Sequence, residues 1–317
     1  MPDPATQARI AVVGSGAVGV YYGGRLAQHG HDVHFLVRGD YDHVRRHGWT
    51  VRSCDGDFTL SPDRVRVYRD PGEMPKADFV LVTLKATAND ALDDLVRPLV
   101  HDGTVILTLQ NGLGNEERLA ESFGAPRVLG GVAFVCINRT GPGAIDHLSE
   151  GAIRIGEFAT RGLTDRLRTV ERWFNAARVP CEAIPDLPRA RWQKLVWNIP
   201  FNGLGALLDV TTDKLVFQPD AEQLVREVMA EVIAAARGVG VDMPEPGPLI
   251  DHQIRITRAI GAYKTSMQID RHRGRDLEIE AILGEPLRRA RQAGVAVPRL
   301  EMMYRMMRAI CGPYEPV

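Results

Sequence analysis

Apolar positions in the first 110 residues fall into short runs separated by stretches of helical spacing. Residues 9–13 (Arg-Ile-Ala-Val-Val) make a β-branched run, and 20–29 carry a helical pattern that Gly30 is suited to end. Residues 31–37 alternate as a second strand, while 79–84 and 104–109 are nearly unbroken apolar runs. Unbroken runs of that length predict strands buried on both faces, as in a parallel sheet covered by helices. The spacing predicts a helix over 88–100, between the last two of these strands. Strand and helix therefore alternate as in a doubly wound α/β fold. Over 128–157 the pattern predicts short strands broken by Gly141-Pro142-Gly143. After Pro188 strand signals fade, and helical runs follow at 224–239, 277–293 and 299–310. Pro180 and Pro185 bracket the change, so the chain divides on this reading into an α/β domain over 1–182 and an all-α domain over 183–317.

Between the first strand and the first helix stands Gly14-Ser15-Gly16-Ala17-Val18-Gly19. A G-x-G-x-x-G run alone is a weak signal, but strand before and helix after is the context a Rossmann-type dinucleotide site requires. Gly14 permits the tight turn, Gly16 lets backbone approach a pyrophosphate, and Gly19 allows close helix–strand packing. The helix N-terminus offers free N–H groups and partial positive charge to the phosphates. Past the second strand, where an NAD site carries an acidic residue for the ribose, this chain has Arg38. A guanidinium suits a 2′-phosphate, which points to NADP(H). Asp40 is the rival ligand, but it stands at the expected N-cap of the next helix.

Composition narrows the partners. The 39 Lys+Arg balance 40 Asp+Glu for a formal charge of -1, which gives no bulk attraction to nucleic acid or an acidic membrane. No apolar stretch approaches the roughly 20 residues of a membrane span, and the first residues lack a signal-peptide pattern. Cys54, Cys136, Cys181 and Cys311 are isolated, as expected of reduced thiols in a cytoplasmic protein. Only five of the 39 basic residues are lysines: Lys76, Lys85, Lys194, Lys214 and Lys264. Lysine, unlike arginine, gives up a proton when its surroundings lower its pKa. Lys194, Asn198 and Asn202 recur at intervals of four, which puts Lys194 and Asn198 on one helix face. Pro200 predicts a kink or a helix start near 199–200. One amine and two carboxamides are able to hold a carbonyl oxygen and protonate it, although a solvated polar face fits the same spacing.

The Gly14-x-Gly16-x-x-Gly19 run, Arg38, Val82-Thr83-Leu84-Lys85-Ala86 and Gln110-Asn111-Gly112 resemble, in order and spacing, motifs of the ketopantoate reductase family. So do Lys194-x3-Asn198-x3-Asn202 and Thr265-Ser266-Met267 followed by Asp270, Glu278 and Gly284, and the resemblance runs from about residue 8 to about residue 300. It implies NADPH-dependent reduction of 2-dehydropantoate to pantoate, with Lys194 as general acid and Glu278 holding and tuning it. It further implies Asn198, Asn202 and Ser266 at the substrate, and Lys85 and Asn111 at the nicotinamide and ribose. The usual Asn-Pro-Leu-Thr-Ala is here Asn202-Gly203-Leu204-Gly205-Ala206, and the usual Ser-Ser-Met-Leu-Gln-Asp is Thr265-Ser266-Met267-Gln268-Ile269-Asp270. These departures bear on the substrate more than on the cofactor.

Two other functions compete: reduction of a different 2-oxo acid in a specialised pathway, and a non-catalytic NADP(H) redox sensor. A sensor needs the glycine loop and Arg38 but not Lys194, Asn198, Ser266 and Glu278 together. The partner expected is a small 2-oxo acid, with no nucleic acid, no membrane and no metal, and a homodimer is left open. His43 and His47, four apart, lack a third ligand nearby and read as an exposed basic face.

Overall fold

A computed structural model describes residues 7–311. Its contacts divide the chain into two units: one takes the chain through Gln110 and then Asn115–Leu187, the other takes Asn111–Gly114 and the chain from Pro188 onward.

The first unit is built on one ten-stranded sheet. Its elements in chain order are β1 (Arg9–Val13), α1 (Ala17–Gln28), β2 (Asp32–Leu36), α2 (Tyr41–His47), β3 (Trp49–Ser53), β4 (Phe58–Leu60) and β5 (Arg66–Tyr68). There follow β6 (Phe79–Val82), α3 (Leu92–Val96), β7 (Val105–Thr108) and α4 (Asn115–Phe123). The last are β8 (Val128–Gly141), β9 (Ala144–Glu157), α5 (Asp165–Ala176) and β10 (Cys181–Ala183). The strand order is β4-β3-β9-β8-β7-β6-β1-β2-β5, with β10 beside β9.

Strands β5, β2, β1, β6, β7 and β8 are parallel neighbours. Ile10, Val12, Phe79, Leu81 and Leu107 enter one core with Tyr21, Trp173 and Phe174. Ala11, Val13, Val80, Val82 and Ile106 enter another with Leu92, Val96 and Leu119. The apolar runs are continuous because successive side chains feed opposite, equally buried faces. From β1 the chain winds outward to β2 and then returns to β6, so order reverses between β1 and β6. The crevice beyond their carboxyl ends is where ligands of open α/β sheets bind.

Four local expectations are corrected. Residues 128–157 form no series of short strands but two 14-residue antiparallel strands, β8 and β9. Gly141-Pro142-Gly143 lies at their hairpin turn, and register shifts at Phe134/Val135 and Cys136/Ile137 absorb the irregular pattern as bulges. The helix expected over 88–100 is broken into the 3₁₀ turn Ala86–Ala91, α3 and the 3₁₀ turn Arg97–Leu99. Ala88 leaves helical angles (φ −104°), and Pro98 has no N–H for a longer ladder.

The other two corrections lie in the second unit. Its elements are α6 (Leu187–Leu208), α7 (Thr212–Phe217), α8 (Pro219–Gly238), α9 (Pro246–Ile260), α10 (Ser266–His272), a π-helical turn (Glu280–Gly284), α11 (Glu285–Gln292) and α12 (Pro298–Cys311). Helix α6 runs through Pro200 with no new start near 199–200. Leu195, Val196, Ile199 and Phe201 are buried around it, and that packing outweighs one missing rung. The segment 277–293, expected as one helix, begins with non-helical Leu277 and Glu278 and passes through the π turn into α11. Among the described residues no helix is long and apolar enough to cross a membrane.

Candidate active site

The glycine loop is held from below by Thr83, just past β6. Its hydroxyl donates to the Gly14 carbonyl (2.7 Å), and its N–H donates to Val13 O (2.9 Å). Gly14 has φ +104°, and a methyl placed on it would stand 2.4 Å from Leu84 N, so the loop lies against the end of β6 at the β1/β6 reversal. A methyl on Gly19 would meet Gly14 O at 2.4 Å, which is the close helix–strand approach expected of the third glycine. Ser15 Oγ donates to Leu36 O (2.8 Å) and ties the loop to the end of β2.

Above the loop the arrangement is open. Gly16 is exposed with nothing within 4 Å of where a side chain would start, and it is the N-cap of α1 with no side-chain cap. The first turn, starting at Ala17 and Val18, contains no acidic residue. Uncapped N–H groups, free space and absent negative charge fit a pyrophosphate. Arg38 is exposed and makes no ion pair among the described residues. Asp40 is at the N-cap position of α2 but does not cap it; its buried carboxylate pairs with Arg139 and accepts from Gly143 N–H (3.3 Å). The rival acid is thus engaged elsewhere, and Arg38 is free to meet an anion. Lys85 is half-buried just past β6, at the start of the Ala86–Ala91 turn.

Lys194 is the centre of the second unit's polar cluster. Its Nζ donates to Asn111 Oδ1 at 2.7 Å. Burial, and then the positive charge of Arg191 one turn earlier on α6, push the amine down to about 7, against the upward pull of Glu278. Arg191 and Glu278 are themselves buried. Buried apolar packing explains how an ammonium is brought to the edge of neutrality, and a lysine so placed exchanges its proton near pH 7.

Asn198, one turn on, is buried in α6, and its carboxamide makes no hydrogen bond to the described residues. Its carboxamide has both donor and acceptor to offer. Asn202 behaves differently. Its Oδ1 accepts from Met267 N–H (3.2 Å) and Ser266 Oγ (3.3 Å), tying α6 to the start of α10. Ser266 is exposed. Arg271, on α10, donates to the carbonyls of Ala206 and Leu207, which makes it a support for the end of α6. The Gly203 that departs from the family pattern opens no space: a methyl on it would lie 2.2 Å from the buried Met303 Cε.

The sequence reading missed Arg191, although its position three residues before Lys194 was a signal. It also missed that Asn111 is the partner of Lys194, for which spacing offers no clue across 83 residues. Elsewhere Cys54, Asp55 and His147 approach one another. Ser53 Oγ is at 2.9 Å from His147 Nδ1 and the Glu150 carbonyl at 3.1 Å from Nε2, so both ring nitrogens are engaged.

An anion-binding turn at the reversal of an open sheet, together with a lysine poised near neutrality among carboxamides, defines the equipment of an oxidoreductase. The model of the family described as "Ketopantoate reductase PanE/ApbA" matches residues 10–160, and that of "Ketopantoate reductase PanE/ApbA C terminal" matches 186–311. The chain belongs to the ketopantoate reductase family. It is 41% identical to a 2-dehydropantoate 2-reductase of Nostoc sp., over 96% of this chain and 95% of that one. Among solved structures it is similar to the 2-dehydropantoate 2-reductase of Geobacter metallireducens (49% identity, TM-score 0.92, 95% and 99% of the two chains). The enzyme of the same name from Methylococcus capsulatus is also similar (35%, TM-score 0.85, 95% and 96%).

Proposed function

We propose that the chain reduces 2-dehydropantoate to pantoate with NADPH, using Lys194 as the proton donor. The observation that carries this reading is the lowered pKa of Lys194, whose Nζ is held on Asn111 beside Glu278 and Arg191. The family uses NADPH, and its nicotinamide, when bound, supplies the hydride. Gly14, Ser15, Gly16, Ala17, Val18 and Gly19 would cradle the pyrophosphate, Arg38 the 2′-phosphate, and Lys85 and Asn111 the nicotinamide end.

This chain's residues do the rest. As the carbonyl carbon is reduced, negative charge gathers on its oxygen, and Lys194 first stabilises that charge and then gives up a proton from Nζ. Glu278 favours the protonated amine, so a useful fraction of Lys194 carries its proton at neutral pH. Asn198, with its free carboxamide, orients the substrate's oxygens, together with Ser266 and the amide nitrogen of Asn202. Because Met303 fills the place of the missing side chain at Gly203, that departure does not enlarge the pocket, which favours 2-dehydropantoate over a bulkier 2-oxo acid.

NADPH oxidation measured against a panel of 2-oxo acids tests the reading. The expected result is a kcat/KM for 2-dehydropantoate above that of every other member, with kcat falling as pH rises through about 7. A higher value for another 2-oxo acid replaces the substrate, and no turnover with any of them leaves a redox sensor.

A further inference from the structure

We propose that Gly112 and the π turn at Glu280–Gly284 form a positioning device that sets Asn111 against Lys194; the proposal rests on reading Lys194 as the proton donor.

The device starts from a proline. In the π register the Glu285 N–H goes back to Glu280 O, so it is not used by Ala281. The next donor in that register would be residue 286, and Pro286 has no N–H. The Ala281 carbonyl is therefore left without a helical donor at either position. A buried carbonyl in that condition is costly unless another group satisfies it. Ala281 is buried, and its oxygen accepts from Leu113 N–H at 2.9 Å.

That bond draws the Asn111–Gly114 turn onto the π turn, and Gly112 is what permits the approach. Its φ is +87°, and a methyl there would stand 2.3 Å from Ala281 O and 2.4 Å from its carbonyl carbon. Backbone atoms cannot yield as a flexible side chain does, so no other residue fits. Asn111 is next in the chain, and its Oδ1 receives the Lys194 bond. Gly114, two residues on, has nearly the same dihedral (φ +89°) but would meet only the Glu285 side chain, at 3.6 Å. The two glycines thus share backbone strain and differ in contact with Ala281.

Because the chain has five lysines, 13Cε-lysine labelling of the full-length protein gives few enough resonances to follow each by NMR, with Lys194 assigned from Lys194→Arg. Wild type and Gly114→Ala are expected to show Lys194 titrating near the same value, about 7. In Gly112→Ala, displacement of the turn hydrates the amine, and its titration moves upward, since burial is the main cause of the depression. The kcat of that variant falls roughly 100-fold, as for a misplaced reacting group. Pro286→Ala restores a donor for Ala281 and produces the same changes to a lesser degree without a steric clash. Equal shifts in Gly112→Ala and Gly114→Ala would reduce the effect to turn strain and overturn the proposal, as would an unmoved Lys194 in Gly112→Ala. The titration is read without substrate, so it fails or succeeds apart from the assigned reaction, which the turnover of Lys194→Arg judges separately.

Discussion

The glycine loop and the Lys194 cluster are made of different material. The loop is backbone: a positive-φ glycine, an uncapped helix N-terminus and one threonine hydroxyl beneath them, all but the threonine within six consecutive residues. The Lys194 cluster is side chain: an amide from residue 111, two cations from 191 and 194, and a carboxylate from 278. A phosphate asks for N–H groups and space, which any chain with small residues at a strand–helix turn provides. A proton donor asks for a tuned pKa, which only burial and specific neighbouring charges supply. Substitutions in the loop are therefore expected to act on cofactor affinity, and those in the cluster on kcat and its pH dependence.

The sharpest break of that comparison is Lys194→Arg. Arginine keeps the positive charge but has a pKa above about 12, so it is a poor proton donor. The expected outcome is a kcat lower by roughly 10²–10⁴, with NADPH affinity within a few-fold of wild type. The basic limb of the pH–rate profile should disappear or move. Turnover within about threefold of wild type, with the limb intact, would make Lys194 a charged anchor and assign the proton to another group.

The same contrast explains what the sequence made legible. The loop, the strands on either side of it and the helix after it were readable because their signals are local and period-bound. Of the cluster, only the Lys194–Asn198–Asn202 spacing is local, and it was equally consistent with a solvated face; resemblance to a family, not spacing, drew Glu278 and Asn111 to it. Nothing local says that Asn111 lies on Lys194, because that contact depends on the carbonyl of Ala281, freed by a proline 175 positions from Asn111 along the chain. The short strands expected over 128–157 and the helix start offered at Pro200 fail for a related reason. Gly, Pro and bulge residues signal interruption in isolation, whereas pairing along 14 residues, or burial on several sides, carries the element through.

Arg38→Asp probes the loop side. Loss of the guanidinium and gain of a like charge are expected to weaken NADPH by about 1–3 kcal/mol and NADH far less, read as the ratio of the two dissociation constants. Asp40 should not take over ribose recognition, since Arg139 and Gly143 hold its carboxylate. Equal use of NADH and NADPH by wild type would show that Arg38 does not read the 2′-phosphate.

Proton linkage gives a third effect, confined to the cluster. The folded-state pKa of Lys194 is about 7, below that of an unfolded lysine, near 10.4. Between those values the unfolded chain binds the extra proton, so the Lys194 contribution to stability rises with pH; its cost is full below the lower value and gone above the higher. Compared with Lys194→Met, wild type should gain about 2 kcal/mol between about pH 7 and pH 9, whatever the constant offset between the two proteins. Urea unfolding at a series of pH values measures this difference, and parallel curves would mean that Lys194 titrates normally. The loop variant Arg38→Asp serves as the comparison, because its site involves no buried amine.

The smallest effect belongs to the threonine under the loop. Thr83→Val keeps the shape of the side chain and removes the hydroxyl that donates to Gly14 O. The Gly14 carbonyl retains one bond, from Gly16 N–H at 2.7 Å, so it is weakened and not orphaned. The loss is therefore expected near the ordinary value of one neutral hydrogen bond, about 1 kcal/mol, or roughly fivefold in NADPH affinity. Thr83→Ser retains the hydroxyl and should recover most of it. Thr83 carries no charge and its hydroxyl is spent on Gly14 O, so kcat at saturating cofactor and the position of its basic limb should stay where they are in wild type. A displaced basic limb in Thr83→Val would mean that the backbone loop and the side-chain cluster are energetically coupled, and the division of labour between affinity and proton transfer would have to be abandoned.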